Sequence, residues 1–370
     1  MGGPGVVLHP PPLPLLPLRR GIIFRAAAFR RLNACNLQAN WQYSWEVTRK
    51  GNRRSMNPSC EVFCAGNAVV DVLARPVDGL TAPGGSQPLE EVALGPGGNG
   101  VNTAIALARL GIRVALAAPV GNDRLGEMLR QTVRAEGVDD SNMFTVKEAR
   151  TSASVVLIES TGERRLLHFR GASAHFSARH VNWELVKGAR IFHYASAFAL
   201  PAFDGEPLEE TLERARELGC LTSVNVCWDQ RGRWLSILEP ALAHTDFIFP
   251  NREEGKQLTG ETEPPAIARR LRSLGVKTVV VKLGARGCFV ESSEGTFTSP
   301  GFVVQPVDTT GAGDCFAAAF LAAICQGSNL GDAARFANAA GALATLGMGG
   351  GDSAPTRAQV VELLGSAVCP

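Results

Sequence analysis

The sequence lacks any apolar run approaching the ~18 residues that a membrane-spanning helix requires. Its longer hydrophobic segments are all broken by Gly, Pro or charge, so no membrane partner is expected. Nine cysteines contain no Cys-x-x-Cys pair and no Cys/His cluster at zinc spacing. The common zinc modules are thereby excluded, and the irregular spacing argues for free thiols in a reducing, cytoplasmic compartment. The motifs G-x-x-x-x-G-K-[ST], H-R-D and D-F-G are missing, which rules out a P-loop enzyme and a protein kinase. A large excess of one charge is missing too, the formal net charge being +2.

That small value hides an asymmetry. Residues 1–55 carry eight Arg and one Lys against a single acid, Glu46, whereas the remainder is mildly acidic. The basic character belongs to the extension alone, so no nucleic-acid partner is expected. "LHPPPLPLLPLRR" is too rich in proline for a signal-peptide helix, and "GIIFRAAAFRRLNA" is basic and weakly amphipathic. Two readings stand for residues 1–55: a mitochondrial transit peptide, or a dispensable, disordered extension ahead of Met56, which immediately precedes the first convincing strand. The second is the expectation here.

What is present is an alternating grammar. "CEVFCAGNAVVDVLA" reads as a buried strand with a glycine turn inside it, "GGNGVNTAIALARLG" as a glycine turn opening a helix, "IRVALAAPVG" as a strand and "DRLGEMLRQTVRAEGV" as an amphipathic helix. "ARIFHYAS", "LTSVNVC", "TDFIFP" and "KTVVVKLG" continue the series. Strands alternating with helices predict an α/β fold with a mainly parallel sheet covered on both faces. "TSASVVLIES-TG-ERRLLHF" interrupts the series as a hairpin and predicts an inserted flap, to which "PLEEVALG" supplies another strand. The flap strands are expected near 86–94 and 151–170, within one domain spanning 56–366.

The chemistry concentrates in "VDTTGAGDCFAAAF". Gly311 and Gly313 allow several N–H groups to face one hollow, and the following helix adds its positive end, which makes an anion site. Asp314 beside that hollow is placed to take a proton from an attacking hydroxyl, the arrangement that phosphoryl transfer to an alcohol needs. A lone G-x-G-D is also compatible with a simpler role for Asp314 as a helix cap.

"VDTTGAGDCFAAAF" resembles the C-terminal signature of the PfkB, or ribokinase-like, family of carbohydrate kinases. "GPGGNGVNTAIALARLG" is similar to that family's N-terminal signature and "PNREEGKQLTG" to its N-x-x-E motif, in the family's order. The resemblance implies a three-layer α/β/α sandwich with a small inserted β lid, and ATP-dependent phosphorylation of a sugar such as ribose or fructose. It implies that Asp314 is the catalytic base and that the N–H groups of Gly311, Ala312 and Gly313 form the anion hole. Asn251 and Glu254 would position Mg2+ and its waters, although the pair alone is equally a helix capping box. Asp308 and the carbonyl of Thr310 match a potassium-binding loop. Lys282, Gly284 and Gly287 would line the nucleotide, with Asn338 facing the adenine. Asp71, Gly98, Asn99 and Asn102 would grip the sugar hydroxyls. A homodimer through the exposed edge of the lid is also expected.

Two motifs depart from the family pattern. Asn99 stands where ribokinases usually carry Lys, a form closer to ketohexokinase. The central strand reads "SVNVCWD" where fructokinases and ketodeoxygluconate kinases carry D-x-N-x-R, so Asn225 is kept while Ser223 and Cys227 take the outer positions. No arginine for an acidic acceptor stands there, and Arg170 is the substitute. The rivals are a nucleoside kinase and a non-catalytic sugar-binding regulator of the same fold. "GPGGNG" also fits a dinucleotide fingerprint, but the next strand ends without the acidic residue that would hold a ribose.

Overall fold

The computed structural model of this chain describes residues 60–161 and 163–366, and the basic extension of residues 1–55 lies outside them. The chain runs through β1 (Val62–Ala65), β2 (Val69–Arg75), β3 (Glu91–Gly97), α1 (Asn99–Arg109), β4 (Val114–Ala117), β5 (Pro119–Gly121), α2 (Arg124–Ala135), β6 (Phe144–Val146), β7 (Ser152–Ile158) and β8 (Arg164–Phe169). It continues through α3 (Trp183–Gly188), β9 (Ile191–Ala197), α4 (Glu206–Glu217), β10 (Leu221–Val226), α5 (Leu235–Leu242), β11 (Phe247–Phe249), α6 (Arg252–Thr259), α7 (Pro264–Ser273) and β12 (Thr278–Lys282). It closes with β13 (Cys288–Ser292), β14 (Gly295–Ser299), α8 (Ala312–Cys325), α9 (Leu330–Ala344) and α10 (Arg357–Ser366). Among these residues no helix is long and apolar enough to cross a membrane.

Eight strands form the main sheet in the order β14-β13-β12-β11-β10-β9-β1-β4. From β12 to β4 the neighbours are parallel, and β13 and β14 add an antiparallel edge. Successive side chains of a strand face opposite sides, and β1 shows the result. Val62 and Cys64 enter a core shared with α1, α2, α8 and α9, while Phe63 and Ala65 enter a second core shared with α4, α5, α6 and α7. Both faces of the sheet are covered, which is the three-layer sandwich.

A second sheet of four strands, β3-β2-β7-β8, forms the lid. Here the sequence pattern misleads. "CEVFCAGNAVVDVLA" is not one strand but two, β1 in the main sheet and β2 in the lid. The chain leaves the main sheet at Gly66, where a Cβ would stand 2.5 Å from Cα of Gly100, so only glycine lets it pass so close to the start of α1. Likewise "IRVALAAPVG" divides, and β5 pairs with β6 in a small sheet of its own.

Residues directly opposite one another across a sheet share a face. One cross-strand row of the lid is Gly95–Asp71–Ser154–His168, and a parallel row on the opposite face is Leu94–Val72–Val155–Leu167. The first row looks into a deep cleft, and the second is an apolar outer face.

Candidate active site

Asp314 lies in the first turn of α8, where the helix start is set by Gly311 in the left-handed region at φ 73°. Its carboxylate caps nothing. It accepts from Asn99 Nδ2 at 3.0 Å and Asn225 Nδ2 at 2.9 Å on one oxygen, and from Asn102 Nδ2 at 3.0 Å on the other. The three amides come from α1 and β10, so a buried carboxylate is held by donors from separate parts of the fold. Lys282, at the end of β12, donates to Asn225 Oδ1 at 2.8 Å and so orients that amide toward Asp314. Burial raises the Asp314 pKa, and the three amides and the Lys282 charge only partly oppose it. A carboxylate raised in this way is a better proton acceptor than one in water.

Asp71 reaches the same cleft from the lid and not from the end of a main-sheet strand. A Cβ at Gly97 would collide with its carboxylate, so the lid glycine is what lets Asp71 sit there. Burial pushes the Asp71 carboxyl up to about 6, with a Ser154 hydrogen bond opposing and the Asp308 charge adding to the rise. The cleft, about 720 Å³, is lined by Asn67, Asp71, Gly98, Asn99, Asn102, Ser154, His168, Arg170, Phe198, Trp228, Gly311 and Asp314, among others. Its volume suits a small ligand. A smaller hollow of about 500 Å³ beside Arg124, Arg150 and Phe169 lies on the other face of the lid and contains none of these groups.

The remaining expected residues divide. Asn251 and Glu254 do form the capping box, Asn251 Oδ1 accepting from Glu254 N–H at 2.8 Å and Glu254 Oε2 accepting from Asn251 N–H at 2.7 Å. Glu254 is nonetheless part of the site electrostatically. Burial raises its pKa, the Lys282 charge opposes, and the Asp314 charge adds. Among the described residues no group of three or more His, Cys, Asp or Glu side chains is arranged to hold a metal ion. One buried carboxylate near the cleft fits magnesium, which keeps most of its waters and binds chiefly to substrate phosphates.

Potassium at Asp308 does not fit. Oδ1 of Asp308 accepts from Thr310 N–H at 2.9 Å and Thr310 Oγ1 at 2.8 Å, and it also pairs with the Arg164 guanidinium. Oδ2 accepts from Gly349 N–H at 3.0 Å. Each carboxylate oxygen offers about two acceptor sites; Oδ1 is filled by Thr310 and the Arg164 cation, so a second cation there would meet both an occupied oxygen and a like charge. The Ala312 N–H, expected in the anion hole, turns back to Thr309 O at 3.3 Å. Gly284 and Gly287 bound a turn after β12 at φ 60° and 91°, outside the cleft lining. Asn338 directs Nδ2 to Ser299 Oγ at 3.0 Å and to the Ser299 and Pro300 carbonyls, so its donors tie α9 to the end of β14.

The chain matches the pfkB family carbohydrate kinase pattern over residues 60–357. The chain belongs to that family. It is similar to fructokinase-1 of Oryza sativa subsp. japonica, 34% identical over 74% of this chain and 89% of that protein. It is also similar to the ribokinase of Haemophilus influenzae, 30% identical over 77% of this chain and 92% of that one. In structure it resembles an Arabidopsis thaliana ribokinase solved in complex with ribose and ATP, with TM-score 0.71 and 26% identity, covering 84% of this chain and 99% of that one. The protein is therefore a carbohydrate kinase.

Three residues of this carbohydrate kinase escape a reading of motifs. Gly97 matters only because Asp71 lies over it. Asn225 was visible as a retained strand residue, but its bond to Asp314 was not. Arg164 sits on a lid strand with nothing in its neighbours to mark it.

Proposed function

We propose that this carbohydrate kinase transfers the γ-phosphoryl group of ATP to a hydroxyl of a small neutral sugar, fructose foremost, with Asp314 as general base. The observation that carries the reading is one buried carboxylate, raised in pKa and fixed by Asn99, Asn102 and Asn225, in the same cleft as Asp71. The sugar enters beneath the lid, where Asp71 accepts from hydroxyls that do not react. The reacting hydroxyl faces Asp314, which takes its proton as the new O–P bond forms and the bond to the β-phosphate oxygen breaks. N–H groups at the start of a helix have no partner within it. Those of Gly313 and Asp314, with Gly311 beside them, meet the charge on the transferring group, and the α8 dipole and the Lys282 ammonium add to the effect. Magnesium arriving with the nucleotide would be held through water by Glu254 and would neutralise phosphate charge.

The fructokinase and ribokinase relatives and the Asn99 variant of the glycine turn support a neutral ketose or aldose. Arg170 and His168 on the cleft wall favour one second reading, a sugar acid whose carboxylate meets Arg170. The test is a panel of fructose, ribose, ketodeoxygluconate and adenosine with ATP and Mg2+, read as ADP release and phosphorylated product. Fructose is expected to show the highest kcat/KM. Failure to phosphorylate any sugar would overturn the reading, and a strong preference for ketodeoxygluconate would favour the second one. We further propose a homodimer through the lid, supported by the exposed Leu94 (56%), Leu167 (60%) and Phe169 (55%) on its outer face.

A further inference from the structure

Arg164 opens β8 on the face of the lid that looks into the cleft, in line with Leu166, His168 and Arg170. Its guanidinium spans a gap to the loop that precedes α8. Nη1 meets the Asp308 carboxylate and Thr310 Oγ1, and Nη2 donates to Thr309 Oγ1 at 3.0 Å. One lid side chain thus touches three consecutive residues, and Gly311, where α8 begins, is the next. Asp308 also joins this loop to the one after α9 through Gly349 N–H. Its side chain is only 7% exposed, against 34% for Arg164. Burial alone would raise its pKa, but the Thr310 and Gly349 hydrogen bonds and the Arg164 charge together hold it below the usual carboxylate range. An ionised carboxylate in so closed a place needs a cation beside it. The sequence motif points to potassium for that role, and the geometry supplies an arginine instead.

We propose that Arg164 is a positioning residue that serves as the built-in cation of this kinase. The guanidinium arrives when the lid closes, neutralises Asp308 and orders Asp308–Gly311, so that the anion site of α8 is complete only over bound sugar. A guanidinium is always charged, and its planar fork engages carboxylate and hydroxyls together, which a spherical ion does not do with such direction. The kinase therefore needs no monovalent metal ion, and a potassium ion at Asp308 would compete with lid closure.

The inference rests on the kinase reading above, and its test separates the two. Turnover is measured for wild type, Arg164→Met, Arg164→Lys and Arg165→Ala in potassium, sodium or tetramethylammonium chloride at matched ionic strength. Arg165 is on the outer face of the lid and pairs with Glu159, so it controls for general loss of lid charge. Wild type and Arg165→Ala are expected to vary less than about twofold among the salts. Arg164→Met is expected to lose on the order of tenfold to a hundredfold in kcat without potassium, the scale of one charged hydrogen-bonded contact. Potassium or added guanidinium should then restore much of it. Potassium should also raise the melting temperature of Arg164→Met above its value in sodium, with no such difference for wild type. Should Arg164→Met not fold, Arg164→Lys decides: retained indifference to potassium supports the inference and acquired dependence overturns it. A wild type activated more than about tenfold by potassium overturns it as well, and so does a slow Arg164→Met that neither cation restores. Absence of sugar phosphorylation in every salt counts against the kinase reading, and the melting measurement still judges Arg164.

Discussion

Asp314 and Asp71 are both buried carboxylates with raised pKa, and the proposed function gives them different work. Asp314→Asn should keep the three-amide cradle roughly in place while removing the proton acceptor. Its kcat should fall by about 10²–10⁴-fold with both KM values nearly unchanged in steady-state kinetics, and full activity would return Asp314 to the rank of a structural residue. Asp71 titrates near 6 in the folded protein against an ordinary 3.8. The folded state thus holds this proton more tightly than the unfolded chain does. Stability falls as pH rises from about 4 to about 6 and levels off above that. Asp71→Asn should lose this slope and, at about pH 8, melt higher than wild type while binding sugar more weakly. For the wild type, the sugar KM should climb as pH drops through about 6, since a protonated carboxyl accepts less well. Gly97→Ala tests the same grip without touching charge. Its methyl displaces Asp71, so the sugar KM should rise on the order of tenfold with the ATP KM nearly constant. Asp71, Asn99, Asn102 and Asp314 were legible in the sequence because their motifs are local runs of glycine, amide and acid. Gly97 and Arg164 were not, because what they do depends on a partner from a distant strand.

At the scale of elements, the parallel sheet and its covering helices could be read from alternation of buried strands with amphipathic helices. The division of one apolar run into β1 and β2 could not. Both halves are apolar, and periodicity does not record that they belong to different sheets. The same blindness hid the origin of Asp71 on the lid. β10 and β12 offer a prediction at this scale. Asn225 and Lys282 stand on separate strands of the main sheet and meet at one hydrogen bond, with Asp314 beyond it. Lys282→Met removes the donor that orients Asn225 and a positive charge near Asp314, so the Asp314 pKa should rise further. The acidic limb of the kcat profile should move to higher pH in this variant. An unmoved limb would mean that the limb does not report Asp314.

At the scale of the whole molecule, the proposed dimer would bring the outer row Leu94–Val72–Val155–Leu167 against its own copy, because two identical apolar faces can meet across a two-fold axis. Leu167→Glu should yield a monomer by sedimentation, and a wild type already monomeric at micromolar concentration would dispose of the dimer. Residues 1–55 contribute no strand to either sheet in the sequence reading, so a chain beginning at Met56 should keep wild-type kcat/KM and melting temperature. The lid also carries a consequence for how the molecule is made. β2 pairs in parallel with β7, yet β3, α1, β4, β5, α2 and β6 lie between them in the chain. β1 and β9 close a still longer loop, but they are buried throughout, whereas β7 and β8 leave much of their surface exposed and gain less burial to offset closure. The core is therefore expected to form first and the lid to join it afterwards, which would make the proposed sugar grip the last part of the protein to form. In pulse-labelled hydrogen exchange during refolding, amides of β1, β9 and β10 should gain protection before those of β2 and β7. Enzymatic activity should return with the later group, leaving for a time a folded core that cannot yet hold its substrate.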